Sequence, residues 1–359
     1  MIKRLSLSLF LFFALLPMPP ALGQNAEELF HKLEKMPAEK RRQLLIDGAK
    51  REGSLMIYAT TSGPAIDALL SSFRKKHPFL KPEVWREGRG AALADRAIAE
   101  IRAGRYLADV LGGGQNALEP LLKMSALARY HSPERRYFPD DYKDKQGYWT
   151  AVFIQESIFG FNTNLVDRAK LPPTYFDLLD PYWKGKLVLD PLPNSFVRGA
   201  LAAYGEKKAM ELFDRLLSTQ DVQFRRGRTL QTQLLAAGEF AASPEIRLGT
   251  LLELKTKGAP VDYHFIYPTP VELRPVAIFK TAPHPHAAAL LADFWLSPEG
   301  QKIMVQAGYS VAREGIDSEA ATPKNVALPI TLDWLEANDK RVQQIAKEIF
   351  SRRAKGAKQ

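Results

Sequence analysis

Leu55, Met56, Ile57 and Tyr58 form an unbroken apolar run, and Thr60, Thr61, Ser62, Gly63 and Pro64 follow it. Such a run predicts a strand buried on both faces of a parallel sheet. Beyond the hydroxyls, Ile66, Leu69, Leu70 and Phe73 recur at helical spacing. The same alternation continues with a strand over 83–86, a helix carrying Leu93, Ala97 and Ile101 that stops at Gly104, and a strand over 108–111. Strands alternating with helices of this length imply a parallel sheet with right-handed crossovers. Each strand ends in a loop of small or polar residues, and such loops form the rim where open α/β sheets bind ligands.

Two short amphipathic helices precede this unit, with Leu29, Leu33 and Met36, then Leu44, Leu45 and Ala49, closed by Gly53. A long β-prone run, residues 148–161, interrupted by Gln155 and Glu156, suits a crossing between two lobes. After Leu171-Pro172-Pro173, the strand-like Leu187-Val188-Leu189 opens a second α/β unit. Helices are predicted from Asn194 or Ser195 to Tyr204, over 206–217 and over 230–237, the last closed by Gly238. Residues 261–278 form a second extended run broken by three prolines, which returns the chain to the first lobe. Helices at 286–296 and after Ser297-Pro298, with Ser as cap and Pro at the first position, complete the pattern. The expected architecture is α/β: two lobes joined by hinge strands with a ligand cleft between them. Residues 24–53 are read as N-terminal helices, 54–150 plus 272–300 as lobe one, 151–271 plus 301–345 as lobe two, and 346–359 as a basic tail.

Composition changes this picture little: 46% apolar and 25% charged residues over 359 positions fit an ordinary two-lobed globular protein. Residues 1–23 stand apart. Lys3 and Arg4, an apolar run from Leu5 to Leu16, and Ala21-Leu22-Gly23 make a secretory signal peptide, cut near Gly23, so the mature protein is expected in the periplasm. The chain has no cysteine, which excludes disulfides, thiolate metal sites and cysteine nucleophiles. The net charge of +10 becomes +8 without the leader, and a net +6 of that lies in the last twenty residues, leaving +2 elsewhere. The high pI is therefore read as a solvated basic end, with no nucleic-acid partner expected.

Candidate chemistry gathers at the loops. Thr60, Thr61 and Ser62 follow the first strand, Arg89 and Gly90 precede the second helix, and Gly114, Gln115 and Asn116 follow the third strand. From the second lobe come Asn194, Ser195, Arg228 and Arg247. Backbone N–H groups at helix starts and forked guanidiniums suit an anionic or polar guest. Residues 112–117 also match G-x-G-x-x-A with Glu134 beyond, but the match follows the third strand, not the first, so a dinucleotide site is not expected. His284 and His286 straddle Pro285, which reads as a turn and not as a metal site. G-x-S-x-G, H-E-x-x-H and P-loop motifs are absent, so no enzyme and no cofactor are expected.

Several phrases in order resemble the solute-binding proteins of ABC importers, closest to the group that includes ferric-iron, putrescine and thiamine binders. They are AKREGSLMIYATTSG (49–63), AIAEIRAGRYLADVL (97–111), SIFGFNTNLV (157–166), PYWKGKLVL (181–189), LAAGE (235–239), LKTKGAPVDY (254–263) and ADFWLSPEGQKIMVQAGYSVAREG (292–315). The resemblance covers roughly residues 45–316 and implies a type II periplasmic binding protein fold. It implies a small-molecule solute captured by hinge closure and delivered, by a monomer, to the permease's transmembrane subunits. Ferric binders of this kind carry two adjacent tyrosines shortly after the phrase matching LAAGE; here Ala241-Ala242-Ser243-Pro244-Glu245 follows. Iron would then fall to Tyr263, Tyr267 and Glu87, whereas Arg247 favours an organic or phosphorylated anion. A secreted ligand sensor serving a membrane receptor is the other alternative.

Overall fold

The computed structural model describes residues 25–60, 63–86, 90–316, 323 and 325–356; the expected leader lies outside them. Two helices, α1 (Ala26–Glu34) and α2 (Ala38–Glu52), open the described chain. They are not a separate unit. Phe30, Leu33, Leu45 and Ala49 are buried in the same core as β1 (Ser54–Ala59), and full burial of a large apolar side chain stabilises by about 1.5–3 kcal/mol. β1 pairs in parallel with β2 (Lys81–Arg86) and β3 (Val110–Gly112). The crossovers are α3 (Gly63–Lys76), burying Ile66, Leu69, Leu70 and Phe73, and α4 (Gly90–Arg102). After β3 comes α5 (Gln115–Lys123) and then β4 (Leu127–Ala128). Gly112 packs closely under α9 (Pro285–Leu296): a Cβ there would lie 2.7 Å from the Trp295 ring.

β5 (Thr150–Asn162) is buried at every position except half-buried Gln155 and leaves this core for a second one. The second lobe comprises β6 (Val188–Leu189), α6 (Asn194–Thr219), β7 (Gln223–Phe224), α7 (Arg228–Ala237), β8 (Ala242–Arg247), α8 (Leu248–Thr256) and β9 (Val261–His264). Within α6 the backbone breaks at Gly205, at φ 74°, which separates the two predicted helices at the residue able to adopt that conformation. Neither Asn194 nor Ser195 caps α6; Pro193 occupies the cap position without a side-chain bond.

β10 (Thr269–Phe279) returns the chain. It pairs antiparallel with the first half of β5, and the second half of β5 pairs with β8 and β9. The sheet order β2-β1-β3-β10-β5-β8 thus runs through both lobes, with β5 and β10 as the crossing strands. α10 (Pro298–Gln306) buries Met304 in the first core, so residues 301–306 pack with lobe one and not, as expected, with lobe two. Ser297 caps α10 as predicted, accepting from Gly300 N at 3.3 Å. Further along the chain, β11 (Ala327–Ile330) runs parallel to β10, and α11 (Leu332–Ile345) packs on lobe two. The expected solvated tail is a packed helix over much of its length. A π-helical turn at Ala346–Ser351 and α12 (Arg352–Gly356) continue α11, with Ala346 and Phe350 buried in the second core.

The two histidines flanking Pro285 hold the start of α9. His284 Nδ1 lies 2.8 Å from Asp109 Oδ2, and His286 Nδ1 lies 2.6 Å from Glu52 Oε1. The hydrogen bond to buried Asp109 raises the His284 pKa, against the opposing effect of desolvation. A histidine raised on folding stabilises fully below its unfolded pKa of about 6.5 and loses that contribution as pH climbs through the folded value. The melting temperature is expected to fall from about pH 6 to about pH 8, and to fall less in His284→Gln. Equal slopes in the two proteins would remove this pair from the stability of the lobe.

Candidate functional site

Between the lobes lies a cavity of about 520 Å³. Lobe one supplies the loops at the carboxyl ends of β1 and β3: Thr60, Gly90, Gly114, Gln115 and Asn116 all line it. Thr60 Oγ1 accepts from Gly114 N at 3.2 Å, tying the two loops together. α5 starts at Gln115 without a side-chain cap, so its first N–H groups open into the cleft. A Cβ on Gly114 would run into Arg274 Nη1, which is why a glycine suits that position. The Gln115 side chain is already committed, donating to the Ile330 carbonyl at 2.5 Å.

Lobe two supplies Asn194, Ser195 and Arg198 from the first turns of α6, Arg228 from the start of α7, and Arg247 from the end of β8. Of the twelve candidates read from sequence, nine line this one cavity; Thr61, Ser62 and Arg89 lie outside the described residues. The crossing strands add residues that the sequence reading left out: Phe153 and Gln155 from β5, Glu272 and Arg274 from β10, and Tyr309 from the loop after α10. Polar positions two apart in an otherwise apolar run, Glu272 and Arg274, were the available signal, because alternate residues of a strand share a face.

The charges are unevenly matched. Arg198 Nη1 and Arg274 Nη2 approach the two Glu272 oxygens at 3.3 and 3.2 Å, and Arg198 Nη2 donates to Asp339 at 3.0 Å. Burial alone would raise Glu272, but Arg274, Arg228, Arg198 and Arg247 together hold it at about 2. Among the described residues the Arg228 side chain donates to hydroxyls, Ser195 Oγ at 3.0 Å and Ser157 Oγ at 3.3 Å. The Arg247 side chain forms no ion pair among the described residues, and its Nε is buried without a hydrogen-bond partner. Burial first, and then the Arg228 charge, lower Arg247 to about 10, so it is still a cation at neutral pH. Glu245, the fully buried carboxyl behind them, accepts from Asp190 N at 2.7 Å. Desolvation pushes it up to about 8 despite the Arg228 charge, so it is mostly protonated at pH 7 and does little to neutralise Arg228. Asp190 in turn accepts from Gly227 N at 2.7 Å and so fixes the turn that presents Arg228.

The tyrosines considered for iron lie elsewhere. Tyr263 packs edge-on against Phe265, Tyr267 faces Tyr204, and neither lines the cavity; Glu87 is outside the described residues. No cluster of three or more His, Cys, Asp or Glu suited to a metal occurs among the described residues. Glu134, which completed the apparent dinucleotide pattern, is paired with Arg313 at 2.8 Å.

Residues 107–339 match the family of bacterial extracellular solute-binding proteins. The chain belongs to that family. These are the solute-binding components of ABC importers, periplasmic and not enzymes. Among curated relatives, an uncharacterized protein of Haemophilus influenzae is 27% identical over 283 residues, covering 73% of this chain and 78% of its own. Among solved structures, iron-bound HitA from Pseudomonas aeruginosa matches with a TM-score of 0.68 at 20% identity, over 82% of this chain and 99% of its own. AfuA from Actinobacillus pleuropneumoniae, bound to exogenous fructose-6-phosphate, matches with a TM-score of 0.63 at 24% identity, over 83% and 98%. These likenesses show the type II periplasmic binding protein fold.

Proposed function

We propose that this solute-binding protein captures a small phosphate-type dianion, a phosphomonoester or phosphonate, and carries it to its permease. One observation supports the reading above all: Arg228 and Arg247 line one cavity and neither forms an ion pair among the described residues, while Glu272, the carboxylate whose charge both feel, is bonded to Arg198 and Arg274. Two unmatched guanidiniums suit a group bearing two negative charges, and their forks suit its oxygens. Glu272 already engages Arg198 and Arg274, so the free charge is concentrated on lobe two. Of the ligands held by the structural neighbours, iron and fructose-6-phosphate, the second has the sign that these arginines attract. A bare ferric ion would meet four guanidiniums, and of the hard oxygen donors in the lining the Glu272 carboxylate is already engaged by Arg198 and Arg274, which leaves the Tyr309 phenol.

In capture, the solute first meets the N–H groups and hydroxyls of the lobe-one rim. Closure about β5 and β10 then brings Asn194, Ser195, Arg228 and Arg247 over it, and binding shifts the population toward the closed form. The affinity for a phosphomonoester should have two limbs in pH. It rises from about pH 5 to about pH 7 as the second phosphate proton, with pKa near 6, is lost. It falls as pH rises through about 8, where Glu245 ionises and partly neutralises Arg228. Calorimetric titration of Glu245→Gln should keep the acid limb and lose the alkaline one. An alkaline limb that persists in this variant would exclude Glu245, and a protein that binds a ferric ion but no phosphomonoester would overturn the reading. Undiminished uptake in a strain lacking the protein would favour a sensory role over transport.

A further inference from the structure

A second cavity of about 880 Å³ adjoins the first, and Gln155, Arg247 and Tyr309 line both. It opens past the edge of β5, between α3 and α10 of lobe one and α8 of lobe two. Its character differs from that of the arginine cavity. Pro64, Ala65 and Ala68 line one wall, Ile303 and Ala307 continue it, and Leu252 faces them from the other lobe. Several of these apolar residues are not covered by protein: Pro64, Ala68 and Ala307 are exposed, and Leu252 and Ile303 are half-buried. At the junction the Tyr309 ring packs on Phe153 with centroids 4.3 Å apart, so an aromatic surface joins one cavity to the other. Besides Arg247, the charged groups of the lining are Glu156, buried on β5, and Glu253 and Lys257, exposed at the rim on α8 and just past its end.

We infer that the second cavity holds the carbon body of the solute, and that this body is apolar, with its dianionic group held by Arg228 and Arg247 next door. The inference rests on the dianion reading of the arginine cavity. Continuity decides the occupant: Arg247 forms part of both cavities, so a group anchored on its guanidinium extends directly into the apolar space. Walls from both lobes then close on that body, which makes its burial part of the closing force. A free inorganic phosphate would fill the first cavity and leave the second empty.

The test uses three probes of one headgroup, namely inorganic phosphate, glycerol 3-phosphate and phenyl phosphate, titrated calorimetrically into the full-length mature protein. Phenyl phosphate should bind at least about ten-fold tighter than either other probe, as expected for burial of an apolar ring. Ala68→Trp, an exposed position on α3, should fill the second cavity and remove most of that advantage while leaving inorganic phosphate unchanged. Should that variant fold poorly, Ala307→Trp makes the same test from α10. Equal affinities for the three probes, or tighter binding of glycerol 3-phosphate, overturn the inference while the dianion reading stands. No binding of any probe brings down both.

Discussion

Arg247→Ala is expected to weaken phosphomonoester binding by about 2–4 kcal/mol, the range for losing a buried charged hydrogen bond, or roughly 30- to 1,000-fold in the dissociation constant. The guanidinium is largely desolvated, forms no ion pair among the described residues, and stands beside a second cation, Arg228. A side chain in that position is unfavourable without ligand and favourable with it. The ligand-free variant should therefore melt at the same temperature as the native protein or higher, while binding collapses. That pairing separates a ligand contact from a structural arginine, whose removal would lower both. Arg247→Lys should recover only part of the affinity, because a point charge replaces the fork. A dissociation constant unchanged in Arg247→Ala would remove this residue from the site.

The lobe-one rim was legible because strand and helix periods change within a few residues there. The unbroken run at 55–58 and the helical spacing from Ile66 place Thr60 at a strand end, and Gly113 and Gly114 stand likewise between β3 and α5. Arg228 and Arg247 were legible because each lies at an element boundary, one opening α7 and the other closing β8. Glu272, Arg274 and Gln155 were harder to read, since they sit inside crossing strands whose apolar neighbours suggest only burial. Their alternation was further obscured by Pro270 and by Pro275, where the register with β5 shifts. The chain end was misread because its charge was counted before its period. Val342, Ile345, Ala346, Ile349 and Phe350 repeat at helical spacing and pack against the second core, while the lysines and arginines between them mark only the solvent side. The place of α10 with lobe one could not be read locally. It depends on Met304 meeting the first core and on Gln301 donating to the Val152 and Trp295 carbonyls at 2.8 Å.

Glu272→Gln is expected to move stability and affinity in opposite directions. The carboxylate is the acidic side chain lining the arginine cavity, and Arg198, Arg274 and, through Ser195, Arg228 all converge on it. Amidation keeps the shape but leaves these guanidiniums facing one another, and breaking such a pair costs about 3 kcal/mol where the groups retain some solvent contact. The same change adds one unit of positive charge to the anion site, so a phosphomonoester should bind more tightly than to the native protein. Ligand stabilises the folded form by RT ln(1 + [L]/Kd). The melting temperature of the variant should consequently start well below the native value and approach it as phosphomonoester is added. Calorimetric melts across a ligand series read both effects in one experiment. A variant that melts with the native protein and binds no more tightly would show that Glu272 does not balance these arginines, and the count of two free charges would have to be revised. Loss of both stability and affinity would instead make Glu272 a scaffold for the position of Arg228, through the Ser195 hydroxyl that links them.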